Sequence, residues 1–373
     1  MERQLINLTS WLFFVCKWTG FTSYSITYTP THPTKRNIFT KTKSSNYLNA
    51  VLVLVIVFFS LDFSDFFLNV DKVDMVFSLI SSVLYMHYLT ILILILNMKQ
   101  TRVVTTFSKI VSFAVLTQKI TNRNIDVAKV KKILKLYTLI TYANLLIMWS
   151  ANWFSVSNYA RIDFIMWMIK DAVLNFSVVS GEILIFYYLV ITINIVRQFN
   201  DFLKTESETE IRKIKVVFQS YADIKKNIQN ISQIVVFFKT VYIVIELAAT
   251  IYQIFIMGQI YENKYFSKLP LILVTGYWIF VLMFQAFSVI CPFIFYYREA
   301  VFTVSLCDDI QENGSFSGYK EQELFCLQTM LTTVKFTTHG LLDLDWPLFY
   351  TIVTLVTTYL IYLIQFKQLA DKQ

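Results

Sequence analysis

The chain has 373 residues, of which 56% are hydrophobic, 17% aromatic and only 16% charged, with a mean hydropathy of +0.54. Soluble domains run nearer ~45–50% apolar and ~25% charged, so this composition excludes an ordinary soluble domain. Seven glycines and five prolines argue against β-rich or linker-rich architectures, and the net charge of +8 comes from basic residues between hydrophobic runs, where it orients a membrane protein rather than building a nucleic-acid surface.

In chain order, residues 1–46 read as a cytoplasmic segment. Its apolar run Trp11-Leu12-Phe13-Phe14-Val15-Cys16 is too short to span and lacks a signal-peptide h-region and cleavage site, so it is expected along the inner interface as a short amphipathic piece. Seven stretches then approach the ~20 apolar residues that cross a bilayer. They lie near 47–68, 75–97, 133–155, 171–195, 231–258, 271–296 and 347–366, a seven-helix transmembrane domain over 47–366. The expected fold is all-α and polytopic. Long cytoplasmic connections fall at 98–132, 196–230 and 297–346, and a short extracellular tail at 367–373.

Orientation follows from lysine and arginine. A cytoplasmic N-terminus places twenty-five of them inside and seven outside, with Lys239 within the fifth span. Seven spans then put the C-terminus outside, opposite to the arrangement of G-protein-coupled receptors. Cys16, Cys291, Cys307 and Cys326 fall on the cytoplasmic side or in the inner half of a span, so no disulfide is expected. The sequons at Asn7, Asn230 and Asn313 are cytoplasmic and that at Asn175 lies within a span, where glycosylation is not expected.

The inner connections carry helical periodicity. Ile211, Ile214, Val217, Phe218, Tyr221, Ile224, Ile228 and Ile231 line one face, with charges on the other, and Leu324, Leu327, Leu331 and Val334 repeat the pattern after the sixth span. Spans four to seven are therefore expected to continue into a cytoplasmic anchor region, interrupted by a turn-like stretch at Gln311–Tyr319. A solvated helical loop remains the alternative.

Catalytic and cofactor motifs are absent. His32, His87 and His339 have no metal-ligand spacing, no nucleophile elbow appears and no phosphate loop forms, so neither an enzyme nor a cofactor or metal is expected. Glu182, Lys239 and Glu246 are the notable intramembrane charges. Each would cost on the order of 2.5–3.5 kcal/mol at mid-bilayer unless it faces protein or water. Lys239 and Glu246 are seven apart on one face, and snorkelling of Lys239 to the inner interface is preferred over a functional pair.

Aromatic residues gather in the outer halves of the spans, where interfacial anchoring explains many of them. Trp149, Tyr252, Tyr277 and Trp278 lie deeper, however. With Gln253 and Gln285 they are candidates for a cavity that takes a small organic ligand. In the last span, Thr351, Thr354, Thr358, Ile361 and Gln365 recur at helical spacing as a single polar stripe, the pattern of a pore-lining face. Gln365 is costly there unless it meets water or another chain, because lipid cannot satisfy its amide.

The ending Thr358-Tyr359, five apolar residues, Gln365-Phe366 resembles the C-terminal signature of insect gustatory receptors, and Phe336-Thr337-Thr338-His339-Gly340-Leu341-Leu342-Asp343-Leu344-Asp345 is similar to the segment leading into the same helix. The resemblance covers about thirty residues; elsewhere it extends to length, span count and inverted topology. It implies a subunit of a homo- or hetero-tetrameric, ligand-gated, non-selective cation channel in the plasma membrane of sensory neurons. One pocket per subunit would take a small-molecule tastant, with the pore built from four last spans among membrane lipid. Sugar, bitter and pheromone ligands all stay open. The alternative is a secondary transporter of small organic solutes, which rests on Glu182 and Glu246 alone; Pro292, Gly181, Gly258 and Gly276 make a poor set of broken helices.

Overall fold

The computed structural model describes residues 2–18, 24–26, 39–41, 100–124, 126–156, 162–205, 211–260, 269–312 and 335–370. The expected first and second spans, the periodic segment Leu324–Val334 and most of Gln311–Tyr319 lie outside these residues. Helix α1 covers Glu2–Trp18, and a short antiparallel pair joins β1 (Tyr24–Ile26) to β2 (Phe39–Lys41). Helices α2 (Gln100–Thr121), α3 (Val127–Val156), α4 (Ile162–Thr205), α5 (Ile211–Ile260) and α6 (Leu269–Glu312) follow. A hairpin of β3 (Thr337–Thr338) and β4 (Leu342–Asp343) then leads into α7 (Trp346–Ala370).

The described residues are almost entirely helical. Helices α4, α5 and α6 have 44, 50 and 44 residues. At ~1.5 Å per residue they are about 65–75 Å long, more than twice the ~30 Å hydrocarbon core of a bilayer. Each must run well beyond a membrane it crosses, as the periodicity of 211–231 implies. Glu312 belongs to α6, so the helix continues into the start of the turn-like stretch.

Five described helices contain segments long and apolar enough to cross a membrane: Thr101–Thr121, Val179–Thr205, Lys213–Tyr252, Thr275–Cys307 and Trp346–Phe366. The last four overlap expected spans, and the expected third span lies within α3. Thr101–Thr121 falls instead in the connection 98–132. Its apolar content has a packing explanation: Val103, Phe107, Ile110, Val111, Phe113 and Ala114 are all buried. Phe113 stacks on Tyr221 at 6.3 Å, beside the charged half of α5 that carries Lys213, Lys215, Asp223 and Lys226.

Helix α1 is more than a short interfacial piece. It has 17 residues and buries Leu5, Ile6, Leu8, Leu12 and Phe13 in the main core. Phe13 meets Phe107 of α2 edge-on at 5.6 Å, and Trp11 meets Tyr187 of α4 at 6.0 Å. Periodicity around Trp11–Cys16 understated it, because polar residues such as Asn7 and Ser10 sit on its outer side.

Two polar clasps join the long helices at the end away from the aromatic-rich halves. Tyr221 donates its hydroxyl hydrogen bond to the carbonyl of Tyr296 at 2.6 Å, and Tyr296 returns one to the carbonyl of Tyr221 at 2.9 Å. Their rings stack at 4.2 Å with 8° between planes, and both residues are buried. This reciprocal arrangement fixes the axial register of α5 against α6. Between α4 and α6, Arg197 pairs with Glu299 at 2.7 Å, Asn200 donates to the Glu299 carboxylate, and Thr303 donates to Asn200 Oδ1 at 2.7 Å.

Lys239 corrects the sequence expectation. It neither snorkels nor pairs with Glu246. Its ammonium lies 3.0 Å from Glu182 Oε1 on α4, with side-chain exposures of 5% and 12% for the two partners. Removing one member of such a buried pair costs about 3–5 kcal/mol, because the other charge loses its counter-ion, whereas replacing both is often neutral. Lys239→Met is therefore expected to abolish most monodisperse protein in fluorescence-detected size exclusion. The Glu182→Gln/Lys239→Met double variant is expected to recover most of it. Equal losses in single and double variants would show that the pair is not the cause.

Candidate ligand pocket and pore face

The approach to α7 explains the motif that precedes it. In the β3–β4 hairpin, His339 and Gly340 both have positive φ (54° and 74°), and the Leu341 amide donates to the Thr338 carbonyl at 2.9 Å. Two successive positive-φ residues at the centre of the Thr338–Leu341 turn reverse the chain within the three-residue loop 339–341, and glycine takes that conformation without penalty. Lys335 reaches Asp343 and Asp345 at 2.7 and 2.9 Å, and these carboxylates hold its ammonium above the ordinary lysine pKa. Phe336 is buried edge-on against Phe293 and Tyr296, at 4.8 and 5.0 Å. Gln229 of α5 donates to the Thr337 carbonyl and hydroxyl at 3.2 and 3.1 Å. Asp345 then caps α7, its carboxylate accepting from the Leu348 amide at 3.4 Å. Pro347 sits in the first turn, where its missing N–H costs nothing. The last helix is thus anchored at its start to both α5 and α6.

Beyond that anchor α7 touches its own subunit along one narrow face. Leu348, Ile352, Val356 and Leu363 are buried, and Leu363 with Leu360 packs on Tyr252 of α5. Thr351, Thr354, Thr358, Ile361 and Gln365 lie on the opposite side and are all exposed. The signature residues Tyr359 and Phe366 flank the buried face and are exposed as well. The three threonine hydroxyls donate back to the carbonyls of Pro347, Tyr350 and Thr354 at 2.9 Å each. Their donors are satisfied within the helix, leaving oxygen lone pairs outward. Gln365 differs. Among the described residues its amide has no hydrogen-bond partner in the subunit.

The six pocket candidates are placed at several junctions. The side chains of Trp149 and Gln253 lie outside the described residues. Tyr277 donates its hydroxyl to Asn144 Oδ1 of α3 at 2.8 Å, while the Trp278 indole N–H donates to Glu246 Oε1 of α5 at 3.3 Å. Tyr252 is buried at the α5–α7 contact, and Gln285 is half-buried on α6. The consecutive Tyr277 and Trp278 consequently tie one turn of α6 to two different neighbours. Trp278, not Tyr277, packs on the main core.

A small cavity of about 30 Å³, partly open to the outside, lies among α3, α4, α5 and α6. Its polar lining is Glu182, Lys239, Tyr137 and Ser288, against Phe186 and Pro292. Pro292 has no amide to give the carbonyl of Ser288 one turn earlier, which adds an acceptor to this wall. None of these residues is among the six candidates. The signal was in the sequence as the opposite charges Glu182 and Lys239 on separate spans; Tyr137 and Ser288 gave none.

Long helices that cross and overshoot a bilayer, joined by aromatic and ionic clasps and ending in a helix with an exposed polar stripe, define a multi-pass helical membrane protein. The chain belongs to the 7tm chemosensory receptor family, which it matches over residues 10–370. Its fold is similar to that of the insect olfactory receptor OR5 from Machilis hrabei, with 10% identity, 97% of this chain and 99% of the other covered, and a TM-score of 0.72. It is also similar to that receptor in complex with eugenol, at the same identity and coverage and a TM-score of 0.69. No curated protein sequence matches the chain.

Because Trp278 faces the core and Tyr277 reaches sideways to α3, Trp278→Ala is expected to shift the ligand dose–response about tenfold, a change of ~1.4 kcal/mol. Tyr277→Ala is expected to shift it far less, with surface expression maintained in both. Equal, negligible shifts would remove this turn of α6 from the ligand wall.

Proposed function

We propose that the chain is a gustatory receptor, a subunit of a ligand-gated non-selective cation channel that opens on binding a small-molecule tastant. Four subunits, identical or related, surround a pore lined by α7. The N-terminus is cytoplasmic and the C-terminus extracellular, and the assembly resides in the plasma membrane of sensory neurons. The observation that carries this reading is Gln365: exposed, without a partner among the described residues, and in line with Thr351, Thr354, Thr358 and Ile361. Facing lipid, that amide would remain unsatisfied; facing a shared axis it meets water. The gustatory assignment rests on the Thr358–Phe366 signature. The small-molecule ligand is supported by the fold similarity to a receptor bound to eugenol.

Threonine oxygens and a glutamine amide replace part of an ion's hydration without fixed charge, which favours weak discrimination among small cations. A ring of Ile361 closes the path by dewetting until the helices rotate or splay. The transporter alternative drew on Glu182 and Glu246. One is ion-paired to Lys239 and the other accepts from Trp278, so both carboxylates have structural work.

Expression in an electrically silent cell with a ligand panel tests channel activity directly. Ile361→Ala is expected to raise resting leak, and Gln365→Ala to alter conductance or cation selectivity, in channels that still assemble. If Gln365 instead only bridges helices within a bundle, Gln365→Ala loses assembly. Variants at the surface with unchanged leak, conductance and selectivity would remove these residues from the pore.

A further inference from the structure

The first half of α3 presents a face that changes from basic to apolar along its length. Lys129, Lys132 and Lys135 are spaced by three residues and all exposed, and Lys131 beside them is exposed too. The same face continues as Leu136, Leu139, Ile140, Leu146 and Ile147, with Leu139 67% and Leu146 62% exposed. The opposite face, Val130, Leu134 and Thr138, is buried in the subunit. One helix therefore turns lysines and then aliphatic side chains toward the same outside medium.

Among the described residues none of the four lysines has a carboxylate in ion-pair reach. The nearest acid on the same segment, Asp126, accepts from the Lys129 backbone amide at 3.1 Å. Several other basic side chains of the protein are engaged. Arg123 donates to Thr205 at 2.9 Å and lies over the Phe202 ring at 5.6 Å. Lys204 lies over Phe302 at 4.7 Å, Arg197 is held by Glu299, and Lys335 is held by two aspartates.

We propose that Lys129, Lys132 and Lys135 bind the headgroup of an anionic phospholipid whose acyl chains lie along Leu136, Leu139 and Leu146. Charge complementarity selects the headgroup, and the aliphatic continuation of the same face selects a lipid over a free anion. From Lys129 to Lys135 the helix rises about 9 Å, enough for three ammonium groups to surround one or more phosphates. Stem methylenes of lysine lie on apolar surface while the ammonium reaches polar medium, which suits the boundary between chain and headgroup. Under the proposed topology this is the cytoplasmic leaflet, the anionic one. The site rests on that reading only for which leaflet it faces, since binding itself requires neither orientation nor channel activity.

Native mass spectrometry of the purified full-length protein in neutral detergent tests this. Short-chain phosphatidylinositol bisphosphate and phosphatidylserine serve as probes, phosphatidylcholine as the blank, and free inositol phosphate as the chain-less control. Each lysine near a charged surface strengthens attraction several-fold, so Lys129→Gln/Lys132→Gln/Lys135→Gln is expected to weaken anionic-lipid binding about ten- to a hundredfold. Phosphatidylcholine binding should not change. A variant losing the same charge elsewhere, Lys109→Gln/Lys119→Gln/Lys226→Gln, should bind as the parent does, and both variants should elute and melt like it. Equal binding by all three proteins, equal loss in both variants, or free inositol phosphate binding as tightly as the lipid would each overturn the proposal.

Discussion

Hydrocarbon offers no hydrogen bond and no counter-ion, so each polar group carried into it must find a partner in protein or water. The buried Glu182–Lys239 pair meets this requirement inside the subunit, at the junction of α4 and α5. Glu246 meets it through the indole of Trp278 on α6. The threonines of α7 meet it through carbonyls one turn earlier. Gln365 is the member of this set for which the subunit supplies nothing among the described residues. The same requirement thus joins α4, α5 and α6 and leaves the last helix dependent on water or another chain.

How α7 could move follows from where it is held. Its start is tied down by the hairpin, through Gln229 to α5 and through Phe336 to the stacked Tyr221 and Tyr296 that lock α5 to α6. Its remaining length leans on a thin line of aliphatic side chains and on Tyr252. The Tyr221–Tyr296 clasp lies toward one end of α5 and α6, and the Trp278–Glu246 contact toward the other. The cavity beside Lys239 and Pro292 lies between those two regions.

Much of this was legible in the sequence because the signals are periodic. Helical spacing from Ile211 to Ile231 gave the long continuation of α5, and the Thr351-to-Gln365 stripe lies within the largely exposed surface of α7. What stayed hidden was pairing between segments far apart in the chain. Glu182 and Lys239 are separated by a connection whose length says nothing of their axial register, so composition could report their cost and not their union. The Tyr221–Tyr296 clasp carried no signal either, since a tyrosine in an apolar run reads the same whether it is locked or merely anchored at an interface. Candidates for the ligand wall suffered similarly: depth could be estimated for Tyr252, Tyr277 and Trp278, but not which neighbour each would face. Helix α1 was understated because its buried residues alternate with polar ones over too short a run.

The central claim is that one face of α7 meets water on a shared axis while the opposite face holds it to its own subunit. Scanning single cysteines along 348–366, on a background whose current is insensitive to thiol reagents, measures this through modification by a small charged methanethiosulfonate during ligand application. The account predicts rapid changes in current at 351, 354, 358, 361 and 365 and none at 348, 352, 356 and 363, a helical period of ~3.6 residues. Uniform modification along the helix, or a reactive face centred on 352 and 356, would contradict it.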